Sequence, residues 1–115
     1  MKEDIYNYLE NFDEETKQRF NLLYRIICES TTQTINEKFW AKLPSFYVDN
    51  NFVRIIPFKD HINIESKNIN FYKEELLEYK LTPKGMLQIF NNQQVPYELL
   101  KIIFKENFEE YSKNI

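Results

Sequence analysis

From Glu37 onward the apolar residues of this 115-residue chain recur at every second position, and that period constrains the fold more than any other feature. Side chains alternate between the two faces of a strand, so a period of two specifies two surfaces at once. "KFWAKLPSFYV" and "NFVRIIPF" read as strands, parted by "DNN", whose residues tolerate a left-handed backbone. "KD" then separates Phe58 from His61 and from the next strand, "HINIES".

With Asn50–Asn51 and Lys59–Asp60 as two-residue turns, Val48 faces Val53, Phe46 faces Ile55, and Ile55 faces Ile64. Phe46, Val48, Val53, Ile55, Ile62 and Ile64 then share one face, a coherent core. The other face collects Ser45, Tyr47, Arg54, Ile56, Phe58, His61, Asn63 and Glu65. Arg54 lies opposite Glu65, a cross-strand ion pair, and His61 lies opposite Phe58. A one-residue slip would bury Arg54, Asn63 and Glu65, which argues for this pairing.

Outside this region the period is helical. "DIYNYLENF" predicts a short helix from Asp4 to about Glu10. Asp13 caps a longer one that ends near Glu29, with Thr16, Phe20, Leu23 and Ile27 at helical spacing. Asn70 to Glu78 reads as a further helix, "TPKG" as a turn and "MLQIF" as a strand. Pro96 opens a final helix whose apolar face runs from Leu99 through Phe108 to Tyr111. The order predicts a single α+β domain over residues 1–115, an antiparallel sheet of four to five strands with two or three helices packed on one face.

The formal charge is −3 and the isoelectric point about 5.2. No basic stripe is present, which argues against nucleic acid. No apolar run approaches the ~18 residues of a membrane span, and "MKEDIYNYLENF" lacks the apolar stretch of a signal peptide. A single cysteine, Cys28, fits a reducing cytoplasm and reads as a small buried hydrophobe on its helix.

His61 is the only histidine, with neither a second histidine nor a cysteine near it in sequence, so it reads as a strand residue or as one member of a binding face rather than as a metal centre. Lys59, Lys80 and Lys84 form a positive rim beside it if the "TPKG" turn adjoins the hairpin. Glu74 with Glu78, and Glu106 with Glu110, are like-charged pairs at i,i+4 that a cation would relieve.

"FWAKLPSF", "FKDHI", "FYKEELLEYK", "PKGMLQI" and "VPYELLKII" occur in that order, and together they resemble the YdhG-like family of small bacterial proteins, a family of unknown function. Some of its members are described as frataxin-like intracellular iron chaperones. The resemblance runs from about Tyr8 to Glu109, and its motif positions here are Trp40, Pro44, Lys59, His61, Lys84, Gly85 and Gln88. Met86 stands where the family usually carries threonine, and Ala41 where it often has glycine.

The resemblance implies an α+β sandwich and a non-enzymatic cytoplasmic role in iron handling or iron–sulfur cluster assembly. On that reading, loosely held iron sits on Glu10, Asp13 and Glu14, because hard cations take oxygen ligands. An iron–sulfur assembly protein is the partner, and the chain is a monomer or weak dimer. The alternative is a module that holds a small ligand or a protein on the open sheet face, through Trp40, Tyr47, Phe58, Lys59, His61, Lys84 and Gln88. The iron reading predicts weak Fe²⁺ binding in an anaerobic titration, lost when Glu10 and Glu14 become Gln and Asp13 becomes Asn. Unchanged binding in that variant would remove the acidic helix from consideration.

Overall fold

The side chain of Asp13 accepts a hydrogen bond from the Thr16 N–H at 2.9 Å and starts the helix α2, Glu14–Glu29. This is a computed structural model, and it describes the backbone of residues 1–113 and the side chains of residues 1–109. Ahead of α2 stands the short helix α1, Glu3–Leu9, which buries Ile5 and Leu9. Along α2, Phe20, Leu23, Ile26 and Ile27 fall on one stripe and are buried.

Six strands follow the first two helices: β1 Asn36–Trp40, β2 Leu43–Val48, β3 Asn51–Pro57, β4 His61–Glu65, β5 Lys80–Leu81 and β6 Leu87–Phe90. They form one sheet in the order β1-β2-β3-β4-β6-β5, with every neighbouring pair antiparallel. Helix α3, Tyr97–Lys113, closes the chain, and the Leu100 N–H bonds the carbonyl of Pro96 at 2.9 Å. Tyr111 and Glu110, which entered the sequence reading, lie outside the residues whose side chains are described.

The fold is α+β, with the helical layer on one side of the sheet. Phe46, Val48, Val53, Ile55, Ile62, Ile64, Leu87 and Ile89 turn to that side and are buried. They meet the α2 stripe and, from α3, Leu100, Ile103, Phe104 and Phe108. Asn107 of α3 is buried and donates from Nδ2 to the Phe52 carbonyl and to Ser66 Oγ, both at 2.8 Å, which fixes the helix against the sheet.

The sheet holds six strands where four to five were expected, and two local features account for it. The segment 38–48 is not one strand but two. It breaks at Ala41–Lys42, where both residues take positive φ, +50° and +65°, and pair Trp40 with Leu43. Two left-handed residues in a two-residue loop make a type I′ turn, whose twist suits a hairpin. The two-residue strand β5 is the second addition. The predicted helix from Asn70 to Glu78 is instead a 3-10 turn, Ile69–Tyr72, followed by further turns. Only Ile69 and Leu76 of this stretch are buried, while Phe71 and Leu77 stand in solvent. Ile69, Tyr72, Leu76 and Tyr79 do recur at helical spacing and pack on the core, but so short a segment has little to offset the cost of helix nucleation.

The β3–β4 register is the expected one, with Arg54 against Glu65 and Ile55 against Ile64. Between β2 and β3 the loop is Asp49–Asn50 rather than Asn50–Asn51, so Phe46 faces Val53 and Val48 faces Asn51. The partner shifts by two residues, an even number, so every side chain keeps its expected face.

Neither Ala41 nor Lys42 is a residue that favours the left-handed region, where a side chain costs about 1–2 kcal/mol. Replacing Ala41 with glycine relieves that strain. A41G is expected to raise the stability by about 1 kcal/mol, read as a higher urea midpoint with an unchanged slope. A lowered midpoint would show that the turn is not strained.

Candidate functional site

The sheet face turned away from the helices carries the concentration of candidate residues. Alternation places Lys38 and Trp40 of β1 on it, with Ser45 and Tyr47 of β2 and Phe52, Arg54 and Ile56 of β3. His61, Asn63 and Glu65 of β4 continue it, and Gln88 and Phe90 of β6 complete it opposite Asn63 and His61.

Arg54 organises one half of this face. Ser45, its cross-strand neighbour, is small, and the guanidinium bonds to Ser45 Oγ from Nε at 2.9 Å. It lies 4.6 Å from the Trp40 ring centre and 4.4 Å from that of Phe52, within cation–π range of both. Its Nη1 meets Glu65 Oε1 at 2.6 Å. The result is an arginine only 6% exposed on a face that no helix covers. Phe52 continues the stack to Tyr47, with ring centres 5.3 Å apart, and Lys38 Nζ sits 4.7 Å from the Tyr47 ring.

His61 holds the opposite corner. Its ring is stacked on Phe58 with 4.5 Å between centres and 12° between planes, and Phe90 lies 5.1 Å away. Asp60 Oδ1 is 2.7 Å from Nδ1. That contact holds the Asp60 carboxyl below the usual carboxylate range, chiefly through its hydrogen bond to the imidazole. Between the two aromatic groups, Asn63 carries a buried Oδ1 that has no hydrogen-bond partner among the described residues. Trp40 and Phe58 are 56% and 42% exposed, a large apolar area left in water.

Of the expected binding-face residues, Trp40, Tyr47, Phe58, His61 and Gln88 thus share one surface. The lysine rim is divided. Lys59 adjoins His61, with its carbonyl 3.3 Å from Asn91 Nδ2. The turn carrying Lys84 lies past the Ile64–Leu87 end of the sheet, away from the His61–Phe90 end. Lys84 lines a separate cleft there with Asn51, Lys67 and Gly85.

Sequence reasoning missed Phe52 and Phe90. One more step of the period-two pattern back from Arg54 reaches Phe52. Phe90 left no local signal, because its place beside His61 depends on the pairing of β6 with β4.

The three acidic residues near the N-terminus have other partners. Glu10 Oε2 and Glu14 Oε1 approach Lys17 Nζ at 3.1 and 3.5 Å, and Asp13 caps α2. The Thr16 N–H holds the Asp13 carboxyl below its usual range, and the Glu10 contact raises Lys17 above the usual ammonium range. Among the described residues no group of three or more His, Cys, Asp or Glu is placed to hold a metal ion. Cys28, expected as a buried small hydrophobe, is exposed. It follows Ile26 and Ile27 on α2, and the next step of the helix turns it out of the core. Among the described residues no helix is long and apolar enough to cross a membrane.

The Arg54 stack predicts coupled losses. R54A removes a charge-assisted hydrogen bond and strands the Glu65 carboxylate, which is expected to cost about 1.5–3 kcal/mol in urea unfolding. It also strips the plate beneath Trp40, the chain's only tryptophan, so the emission of the folded state shifts. R54K restores the charge but not the planar fork and recovers only part of the loss. A change under about 0.5 kcal/mol with unaltered emission is what an ordinary surface residue gives, and would discount the stack.

Compared with protein-family models, with curated proteins and with solved structures, the chain has no match, and these comparisons identify no family for it.

Proposed function

We propose that this chain is a non-enzymatic binding module that docks a protein partner on its helix-free sheet face, and that it works in the cytoplasm. The observation that carries the reading is the exposed aromatic band itself, Trp40 and Phe58 half in water on either side of Asn63, whose Oδ1 has no partner among the described residues. Buried polar atoms are nearly always paired, so the amide oxygen awaits a donor. Trp, Tyr, Phe and Arg are the side chains enriched where proteins bind each other, and here they are held in place by stacking.

Charge supports a partner of acidic and apolar character. Lys38 and Lys80 stand on this face, and its turns carry Lys42 and Lys59 beside Asp49 and Asp60, while Glu65 is matched by Arg54, which leaves a small positive excess. The breadth of a six-stranded sheet suits a protein surface better than a small molecule, which would remain half exposed. No reaction is assigned, because the His61 imidazole is engaged by Asp60 and flanked by two phenyl rings rather than by a nucleophile.

An iron chaperone that serves cluster assembly is the second reading. One feature favours it. Glu10 and Glu14 already share a single cation, the Lys17 ammonium, so a metal ion has a position that both reach. It must displace Lys17 to occupy it, which is why this reading ranks second.

The first reading is tested with ¹⁵N-labelled protein titrated with fractionated cytoplasmic extract. Shifts are expected on Trp40, Tyr47, Phe58, His61 and Gln88, and they vanish in the W40A/F58A double variant. Shifts confined to α2 and α3 would place the partner on the helical layer and refute the assignment.

A further inference from the structure

The two edges of the sheet are finished differently, and we infer that the edge of β1 takes an extended segment of the protein partner as a further antiparallel strand, with an acidic side chain beside Lys38. This rests on the docking reading for the partner's acidic and apolar character, and it names the contact that holds the partner. At the far edge β5 is only two residues long, and the end of β6 is capped from within. The Phe90 N–H donates to Gln93 Oε1 at 2.9 Å. The Phe90 carbonyl accepts from the Gln93 N–H at 2.9 Å and from Arg19 Nη2 at 3.1 Å.

No such cap covers β1. A two-residue hairpin loop is flanked by a hydrogen-bonded pair, here Trp40 with Leu43. Such pairs alternate along an antiparallel ladder, so Lys38 with Ser45 and Asn36 with Tyr47 are the next two. Glu37 and Phe39 lie between them and turn their N–H and C=O groups away from β2. Pro44 fits this phase, because it stands opposite Phe39, where β1 asks no N–H of it. Among the described residues, the main-chain groups of Glu37 and Phe39 have no hydrogen-bond partner. Four aligned backbone groups on an uncovered edge are a template for strand addition.

Side chains select the occupant. A strand bonded to Glu37 and Phe39 sets the residue between those bonds directly against Lys38, at the closer spacing of a non-hydrogen-bonded pair. Lys38 is exposed, 4.7 Å from the Tyr47 ring centre, and forms no ion pair among the described residues. A carboxylate in that place meets an open cation. A second copy of this chain does not suit the edge. Two β1 strands paired over their full length oppose Lys38 to Lys38, and a shifted register gives up part of a five-residue strand. Trp40 is 56% exposed on the same face as Lys38, so the outward side chains of the added strand continue the aromatic band.

Two blocked synthetic peptides as long as β1 are the probes, one alternating valine with aspartate and one alternating valine with lysine. Each is titrated into ¹⁵N-labelled protein. The aspartate peptide is expected to bind the tighter, to shift the Glu37 and Phe39 amides saturably and to slow their hydrogen exchange. Its valines lie opposite Glu37 and Phe39, so N-methylation of the valine amides abolishes binding, whereas N-methylation of the aspartate amides leaves most of it. K38E is expected to invert the preference, changing the ratio of the two dissociation constants by at least about fivefold. Unmoved Glu37 and Phe39 amides, equal affinity for the two peptides, or equal losses from the two methylations would each overturn the strand addition. The docking reading keeps its own readout, the extract shifts at Trp40 and Phe58, and fails separately if those are absent.

Discussion

Phe46 is where the two layers of this protein meet. It projects from β2 into full burial, 6.5 Å from the Phe20 ring and 5.5 Å from the Tyr24 ring of α2. Burying a phenylalanine side chain contributes about 1.5–3 kcal/mol. Because side chains alternate strictly along a strand, fixing Phe46 inward fixes Ser45 and Tyr47 outward. Hydrogen bonding carries that choice across the sheet, so Arg54, His61 and Gln88 are outward as well. The exposed band is the reverse side of the core.

Covering one face leaves the protein with an arginine on the other, and the solution is local. Ser45 makes room, Trp40 and Phe52 enclose the guanidinium, and Glu65 neutralises it. A charge this shielded needs its partners at close range, and here all four come from strands β1 to β4. The same contacts hold Trp40 in one orientation. A rigid aromatic loses little freedom on binding, which is what distinguishes an anchor from an exposed side chain.

Much of the sheet was legible because the signals were short-range. Lys59–Asp60 is a two-residue loop between two alternating runs, and it set the β3–β4 pairing, including Arg54 with Glu65. The β2–β3 loop was misplaced by one residue, yet the faces survived, because the partner moved by two. The break at Ala41–Lys42 was missed because neither residue advertises a positive φ; its one trace is a change of phase in the alternation, which puts Trp40 on the face of Ser45 and not on that of Phe46. Lys84 was expected beside His61. Its true place depends on β6 pairing with β4, a contact between residues far apart in the chain. Cys28 failed for a different reason: a helix position one step past the buried stripe is decided by about 100° of rotation.

The sequence by itself determined the α+β class, the faces of the central strands and the existence of a mixed aromatic surface. Each of these follows from periodicity and from turns that lie within a few residues of what they organise. Tertiary structure alone decided that Arg54 is sandwiched, that Phe90 joins His61, that Glu10 and Glu14 converge on Lys17, and that Lys84 belongs to a cleft with Asn51. Most of these meetings join strands or turns that the chain reaches by separate routes. The others depend on side-chain geometry across a loop or a turn of helix, and hydrophobic periodicity records which way a residue points but not whom it meets.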